Sequence, residues 1–320
     1  MPAEQVAQWR QQAMRGGAEL LDAVARLTSA AKEGVTDALY VLAVMTADGI
    51  GVPQDLKASL AHLQRAAECG HPLAQKELAG LVGNWRLARD ITAGKAQRSN
   101  AWAQLRAAVD VAAWLRIPEG RIFSSEPRIA TVKGYLSFPA CDWLIALGRS
   151  NLKAAQVYDA ETGDLRADSN RSNSAAQLDL AHMDTFTAFV RARIAALANV
   201  SIAGLETSQI LNYRVGEEFA EHCDFLDPDS PGHARDIAMH GQRALTVLIY
   251  LNDDYEGGDT TFPALGRSYK GRKGDALVFW NLTPEGAPDW RTAHIGTAPT
   301  RGEKWLFSQW VRIPVAKAGA

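Results

Sequence analysis

The sequence is poor in cysteine, nearly balanced in charge and without a long apolar run. Its three cysteines, Cys69, Cys141 and Cys223, are spread singly along 320 residues, so they build neither a disulfide framework nor a thiolate zinc site. Lys and Arg total 34 against 36 Asp and Glu, a net charge of −2, and no basic cluster marks a nucleic-acid surface. No apolar stretch approaches the roughly 18 residues that a membrane span needs. We therefore expect no nucleic acid and no membrane among its partners.

The N-terminal residues 1–5 lack the basic region and the following apolar segment of a secretory signal. Together with the scattered cysteines, this pattern favours a reducing compartment, and we expect the protein in the cytoplasm. A hydrophobic content of 47% in 320 residues is enough for two domains, each with its own core.

The first third of the chain has a helical pattern. Ala, Leu and straight-chain polar residues dominate residues 4 to about 115, and apolar residues recur at spacings of three and four. His62 and His71 are each a single imidazole without a second ligand nearby in sequence, so we interpret both as structural.

Glycines and alanines punctuate this region at regular places. Asp48–Asp55 and Ala66–His71 place glycines where paired helices would turn, and small alanines where the helices would touch. Residues 37–75 thus resemble the Sel-like relative of the tetratricopeptide repeat, with 17–34 and 72–84 similar to helices of incomplete neighbouring units. Because so short an array cannot bury its apolar face alone, we expect a helix near 97–115 to join it to the rest of the chain. The surface of such repeats commonly binds a protein partner.

A change of pattern at 117–120, where Pro118 and Gly120 follow the last helix, marks the predicted domain boundary. We predict an α-helical region over 1–117 and a second domain over 118–320, with a strand-rich core at about 205–313. In its first part we predict a strand at 128–136 and helices at 139–148 and 177–198, the last bracing the outside of a sheet. Cys141 is interpreted as a small buried residue.

From Glu206 onward the chain alternates between strands and turns. Roughly eight strands are predicted, including 218–225, 245–251, 276–280, 292–298 and 304–313. Short strands separated by turn signals suit a two-sheet jelly roll. The fold class is therefore α+β multidomain, with an all-α region followed by a jelly roll and its supporting helices.

One short stretch of this core, Glu221–Phe225, carries a metal-ligand pattern. His222 and Asp224 are two residues apart, so in a strand they face one side while Cys223 faces the other. With His294 they form two imidazoles and one carboxylate, the set that holds Fe(II) on one face and leaves positions open. A surface histidine beside a loop aspartate gives the same pair, so the pair alone leaves both interpretations open.

The segments before and after this stretch contain further motifs. They are Asn212–Phe219, Arg243–Val247, Gly257–Pro263, Gly274–Phe279, His294, Gly302–Trp305 and Trp310–Val311. In that order and spacing, residues 120 to 315 resemble the prolyl 4-hydroxylase-like group of Fe(II)- and 2-oxoglutarate-dependent dioxygenases. The resemblance implies a jelly roll of the double-stranded β-helix type that binds Fe(II) through His222, Asp224 and His294. It also implies 2-oxoglutarate and O2 as cosubstrates, ascorbate as a reductant, and hydroxylation of a prolyl or other amino-acid residue with release of succinate and CO2.

The remaining site residues follow from chemistry and from the resemblance together. The far carboxylate of 2-oxoglutarate needs a cation, and Lys304 lies ten residues after His294; a solvated strand edge is the alternative for this lysine. The resemblance implies that Tyr213 and Thr260 donate hydroxyl hydrogen bonds to 2-oxoglutarate and that Trp310, which is equally suited to the core, forms an apolar wall.

Four residues are predicted to lie on the substrate side. The resemblance puts Arg243 at the substrate entrance, and Arg171 resembles part of a substrate groove, although an ordinary loop arginine is the alternative. The segment 227–241 is typical of a mobile lid, and we interpret His233 and His240 within it as lid residues rather than ligands.

Phe219 departs from the family pattern. Peptide-prolyl hydroxylases commonly have a tyrosine three residues before the first iron ligand, and phenylalanine offers no hydroxyl there. The reaction type is unaffected, but the substrate is open to another protein side chain, a free amino acid or a small metabolite. From another class, a non-catalytic repeat adaptor and a metal-binding cupin-like module are the alternatives, and both conflict with the complete ligand set.

Overall fold

The computed structural model describes residues 3–95 and 101–314. The α-helices of these residues are α1 (Ala3–Ala13), α2 (Gly17–Lys32), α3 (Thr36–Asp48), α4 (Leu56–Glu68), α5 (Pro72–Leu81), α6 (Trp85–Thr92), α7 (Ala101–Ala108), α8 (Val111–Leu115), α9 (Phe138–Arg149), α10 (Thr185–Ala198) and α11 (Pro231–His240). None of them is long and apolar enough to cross a membrane.

The strands of the same residues are short, except for β9 and β16. They are β1 (Gly120–Ser124), β2 (Ile129–Val132), β3 (Lys153–Ala154), β4 (Val157–Tyr158), β5 (Leu165–Arg166), β6 (Ser174–Leu178), β7 (Ser208–Tyr213), β8 (Phe219–His222), β9 (Gln242–Tyr250), β10 (Glu256–Gly257), β11 (Thr260–Phe262), β12 (Arg267–Tyr269), β13 (Ala276–Trp280), β14 (His294–Gly296), β15 (Pro299–Arg301) and β16 (Lys304–Ile313).

The chain divides into two compact units. One is Met1–Arg116 with Leu178–Ala203, and the other is Ile117–Gln177 with Gly204–Ala320. The sequence predicted two contiguous domains that meet at residue 117, so the structure differs in assigning the segment 178–203 to the helical unit.

Helices of the first unit pack in sequence order, α1 with α2, α3 with α4 and α5 with α6. Gly49 ends α3 in the left-handed conformation, with φ 74°, and the Asp55 side chain caps α4 by accepting from the next turn. Of the joining helix predicted near 97–115, residues 97–100 lie outside the described residues. The remainder is α7 and α8, which are separated where Asp110 caps α8.

Helix α10 is the largest difference from the predicted elements. A helix was predicted over 177–198, but Ser174–Leu178 is strand β6, and α10 begins only at Thr185, where the Asp184 side chain accepts from Thr187 N. Ten of its 14 residues are buried, and it packs with α3, α5 and α8. Its Arg191 pairs with Asp48 of α3 at 2.6 Å. Because its burial is not confined to one stripe, α10 is part of the core of the helical unit rather than a brace on a sheet.

The second unit contains two principal sheets. The larger has the order β1-β2-β13-β9-β16-β7-β6-β3, and the smaller has the order β12-β11-β14-β8. In the larger sheet the central pairs are antiparallel: β13 with β9, β9 with β16 and β16 with β7. This mixed fold with a large antiparallel sheet is the one expected for a jelly roll.

Two segments of this unit for which no helix or strand was predicted carry short elements. The polar stretch 159–173 contains β5, which pairs with β4, and the predicted lid at 227–241 contains α11. Helix α11 starts with Pro231, whose fixed φ suits a first helical turn, and its burial is limited to Gly232 and Asp236 among its described residues.

Candidate active site

His222, Asp224 and His294 converge at one end of the smaller sheet. Strands β8 and β14 are neighbours, and their register places His222 directly opposite His294. Asp224 follows His222 by two residues, just past the end of β8. One candidate ligand atom from each of the three side chains lies within 4.8 Å of the other two, so the three can hold one metal ion.

Backbone carbonyls orient both imidazoles. His222 Nδ1 lies 2.8 Å from the Ala220 carbonyl oxygen, and His294 Nδ1 lies 3.1 Å from that of Thr292. Because a carbonyl oxygen only accepts, each Nδ1 carries the hydrogen and each Nε2 keeps its lone pair. The Nε2 atoms lie 3.6 and 3.7 Å from the Asp224 carboxylate. Ligating histidines are commonly fixed in this way.

The electrostatic environment favours the protonation states that a metal requires. Burial and the neighbouring His294 lower the pKa of His222 to about 3, which keeps its imidazole neutral. Burial alone would raise the pKa of Asp224, but the two histidines and a hydrogen bond from Thr246 lower it. A neutral imidazole and an ionised carboxylate are the forms that bind metal.

Thr246 and Asn281 support the carboxylate and were not predicted from the sequence. Thr246 Oγ1 donates to Asp224 Oδ2 at 2.7 Å, and Asn281 Nδ2 donates to Thr246 Oγ1 at 3.0 Å. Both side chains are fully buried. The available signal was alternation along β9, because Thr246, Leu248 and Tyr250 are spaced by two and share a face.

The cavity beside the three ligands opens between the two principal sheets. About 400 Å³ of space is free of protein atoms there, including its mouth. From the larger sheet, β16 contributes Lys304, Leu306, Ser308 and Trp310, which are spaced by two along one face. A metal held by the triad would therefore face a pocket with an apolar middle and polar ends.

Lys304 lies at the base of this cavity. Its side chain is fully buried, and its Nζ has no hydrogen-bond partner in the described part of the chain. The ammonium lies 5.1 Å from the centre of the Tyr213 ring and 5.8 Å from that of Tyr250. Burial lowers the pKa of Lys304 to about 7. A desolvated cation without an acceptor fits a ligand that brings a carboxylate.

Tyr213 and Thr260 both line the cavity near Lys304. Tyr213 is directly opposite Lys304 in the pairing of β7 with β16, and burial raises its pKa to about 12, so its hydroxyl stays protonated. The Thr260 hydroxyl lies 2.9 Å from that of Tyr250 and shares a hydrogen bond with it. Tyr250 is a further polar group beside Lys304, and it was not predicted from the sequence.

Trp310 lines the cavity and brings a polar group as well as an apolar ring. Its indole Nε1 is buried and has no acceptor among residues 3–95 and 101–314. Trp310 therefore presents a hydrogen-bond donor as well as a ring.

Arg243, which the resemblance puts at the substrate entrance, forms an ion pair in the structure. Its Nε and Nη2 donate to the two Glu206 carboxylate oxygens at 2.6 and 2.9 Å. The same guanidinium lies 3.8 Å from the centre of the Trp310 ring, and Arg243 is not among the residues that line the cavity. Its contacts support Trp310 from outside the cavity.

The other histidines have separate partners. In the lid segment, His233 Nδ1 accepts from Asp227 N, and His240 pairs with Asp236 within α11. In the helical unit, His71 caps α5 by accepting from Ala74 N and stacks on Tyr40.

Comparison with known proteins places this site in a family. A model of the 2OG-Fe(II) oxygenase superfamily matches residues 208–312. Probable prolyl 4-hydroxylase 10 of Arabidopsis thaliana is 31% identical over 212 residues, which cover 60% of this chain and 71% of that protein. Prolyl 4-hydroxylase 1 of the same plant is 31% identical over 207 residues, with the same coverage. A crystal structure of viral collagen prolyl hydroxylase from Paramecium bursaria Chlorella virus-1, as its 2-oxoglutarate complex, aligns at TM-score 0.44 and 23% identity, covering 57% of this chain and 95% of the viral one.

The chain belongs to the prolyl 4-hydroxylase-like family of Fe(II)- and 2-oxoglutarate-dependent oxygenases. It is a 2-oxoglutarate-dependent dioxygenase whose cofactors are Fe(II) and 2-oxoglutarate. The predicted oxygenase family and the predicted Fe(II) and 2-oxoglutarate are thus confirmed.

Replacement of Thr246 tests the support of Asp224. Thr246→Val removes the hydroxyl that donates to the carboxylate, and we expect iron affinity or activity to fall by about 10- to 100-fold, as for other lost outer-shell partners. Thr246→Ser, which keeps the hydroxyl, should stay near wild type. Iron titration of succinate formation measures both, and equal iron requirements in the two variants would contradict the role.

Proposed function

We propose that this dioxygenase hydroxylates an unactivated C–H bond of a prolyl or other amino-acid residue in a protein or peptide. In this reaction O2 is the oxidant: one of its oxygen atoms enters the new hydroxyl group, and the other enters succinate as 2-oxoglutarate loses CO2. The observation that carries the proposal is the presence, in one cavity, of a three-residue ligand set and a buried ammonium without a partner.

Each side chain then has a distinct task. His222, Asp224 and His294 would hold Fe(II), and Lys304 would pair with the far carboxylate of 2-oxoglutarate. The bound Fe(II) and 2-oxoglutarate supply the oxidising chemistry. Tyr213 and Thr260 would orient the cosubstrate through their hydroxyls, and Trp310, held by Arg243, would close the wall. Leu211, Leu248 and Leu306 line the same cavity and keep water from it.

Because of Lys304, the affinity for 2-oxoglutarate should fall as the pH rises. The pKa of Lys304 is about 7 in the ligand-free protein, and pairing with a carboxylate raises it. Binding at pH 7 to 9 should therefore take up a proton, and affinity should fall with rising pH by up to about tenfold per unit. Calorimetry in buffers of different ionisation enthalpy measures the uptake. Release of protons, or no dependence in this range, would contradict the assignment.

Two observations bear on the class of substrate, and they favour different candidates. The relatives are named prolyl 4-hydroxylases, which favours a prolyl residue. Phe219, however, stacks on His222 with ring centres 3.4 Å apart and brings no hydroxyl to the cavity. A free amino acid or a small metabolite is therefore the second candidate.

Oxygen incorporation tests this function directly. A lysate treated with wild-type protein, Fe(II) and 2-oxoglutarate is compared with one treated with Asp224→Ala. We expect peptides or metabolites that gain one oxygen in the first sample only. If no 2-oxoglutarate is converted to succinate by the wild-type protein under any condition, the proposal is wrong.

We also propose that helices α1–α6 form a Sel-like array that holds a macromolecular substrate. The packing of three successive helix pairs supports this interpretation, and Leu21 and Leu73 on α2 and α5 are exposed by 64% and 49%. For an identified protein substrate, Leu21→Glu and Leu73→Glu should raise the KM for the whole protein while leaving that for a short peptide from it unchanged. Unchanged kinetics with both substrates would contradict this role.

A further inference from the structure

Arg171 lines the same cavity as the metal-ligand set. Its side chain is only 6% exposed, and its guanidinium carbon lies 4.7 Å from the centre of the Phe219 ring. Phe219 in turn stacks on His222. The backbones of Arg171 and Phe219 also form a bridge. These contacts in series hold the guanidinium within about one side-chain length of a metal ligand.

The hydrogen-bond partners of Arg171 are all neutral. Nε donates to Asn173 Oδ1, Nη1 to the Gln156 carbonyl and Nη2 to Gln209 Oε1, at 3.2, 2.8 and 3.1 Å. One N–H on each terminal nitrogen is left without an acceptor in the described part of the chain. These two nitrogens are the pair from which a carboxylate accepts two hydrogen bonds end-on.

No carboxylate among the described residues pairs with Arg171, which sets it apart from the other buried arginine nearby. Arg243 has both Glu206 oxygens. Burial lowers the pKa of Arg171 despite an opposing effect of the nearby Asp224 carboxylate, whereas for Arg243 the effect of burial is outweighed by Glu206 and the pKa is raised. A buried guanidinium without a counter-charge is costly, and in a ligand cavity it indicates that a ligand brings the anion.

That anion is not 2-oxoglutarate, if the proposed function holds. The positive charges of Fe(II) and Lys304 are then balanced by Asp224 and the two carboxylates of 2-oxoglutarate. Arg171 alone is left uncompensated, beside the position where the prime substrate must reach the metal.

We propose that Arg171 is a specificity-determining residue that binds a carboxylate of the prime substrate. The proposal rests on the proposed function. Because the guanidinium is so close to His222, the carboxylate must lie within a few bonds of the oxidised carbon. A free amino acid, or the C-terminal residue of a peptide, has this chemistry in its α-carboxylate, whereas an internal residue between two amide bonds has no α-carboxylate and offers one only through an aspartate or glutamate side chain. Phe219 has no hydroxyl group, so on this side of the cavity Arg171 supplies the hydrogen bonds to the substrate.

Matched acid and amide probes test the proposal. N-acetyl-L-amino acids, the corresponding N-acetyl amides, and end-blocked peptides with internal aspartate or glutamate are added to protein with Fe(II) and 2-oxoglutarate. Succinate formation above the probe-free rate is measured in air, and binding of the same probes is measured by calorimetry without oxygen. We expect the best acid to bind and stimulate at least about tenfold better than its amide, as a charge-assisted pair implies.

Variants assign this preference to Arg171. Arg171→Gln should abolish the preference for acid over amide, and Arg171→Lys should keep part of it. Arg121→Gln, which removes an exposed guanidinium from β1, should leave both the basal rate and the preference unchanged. A cooperative melt checks that each variant folds.

The possible outcomes separate the two proposals. Acids and amides that act equally, or an Arg171→Gln variant with the full preference, would overturn the role of Arg171. Blocked peptides with acidic side chains that outperform all chain-end acids would overturn the assignment to a chain-end carboxylate. Absence of succinate in every sample refutes the proposed function, and calorimetry still decides whether Arg171 binds a carboxylate.

Discussion

His222→Ala or Asp224→Ala is expected to lower the conversion of 2-oxoglutarate to succinate by more than about 100-fold. Loss of an outer-shell partner already costs about 10- to 100-fold, and these substitutions remove one of three protein ligands. Asp224 carries the only carboxylate of the set and is held by Thr246, so its loss also removes the negative charge that faces the metal.

Folding should survive both substitutions. In the His222→Ala variant the buried Asp224 keeps the hydrogen bond from Thr246 and the nearby imidazole of His294, and in the Asp224→Ala variant the buried carboxylate itself is removed, so neither substitution leaves a buried carboxylate without a partner. Succinate formation at low iron concentration and a thermal melt are the measurements. His62→Ala in α4 is the matched control and should keep wild-type activity. Near-wild-type turnover in either site variant would mean that the ligand set is assigned wrongly.

The parts of the site that lie on single strands could be predicted from the sequence. Lys304 and Trp310 are six residues apart on β16, an even number, so alternation puts them on one face. This inference does not require knowledge of which strand lies next to which. His222 and Asp224 are also two residues apart, but β8 ends at His222 rather than at residue 225 as predicted, so Asp224 lies outside the strand and its position beside His222 does not follow from alternation alone.

The parts that depend on pairing between distant strands could not be predicted in this way. Thr246 reaches Asp224, and Arg243 reaches Glu206 across 37 residues of sequence, and both contacts depend on the position of β9 in its sheet. The family motif identified Arg243 as important. Only the structure identifies Glu206 as the partner of Arg243 and Trp310 as the ring that its guanidinium contacts.

Helix α10 illustrates a second limit. Its apolar residues at helical spacing predicted a helix correctly, but they could not identify the surface against which it packs. The buried pair of Arg191 with Asp48 joins residues that are 143 positions apart in the sequence. No local sequence pattern predicts a contact over that separation.

Lys304→Met is expected to raise the concentration of 2-oxoglutarate needed for turnover by two to three decades or more. Removal of one partner of a buried charge pair costs about 3 to 5 kcal/mol, which corresponds to that range of affinity. Methionine keeps a similar length and apolar stem but brings no charge, so the effect isolates the ammonium from the packing of the cavity. The apparent KM for 2-oxoglutarate and anaerobic calorimetry measure it, with Lys153→Met on exposed β3 as the control.

The same substitution should act in the opposite direction on stability. In the ligand-free protein the Lys304 ammonium is fully buried and has no partner among the described residues, so methionine removes a desolvation cost without leaving a new unpaired group. We therefore expect the melting temperature at pH 7, measured without 2-oxoglutarate, to equal or exceed that of the wild type. Added 2-oxoglutarate should raise the melting temperature of the wild type much more than that of the variant. A variant that melts lower and still binds 2-oxoglutarate as tightly would show that Lys304 serves the fold and not the cosubstrate.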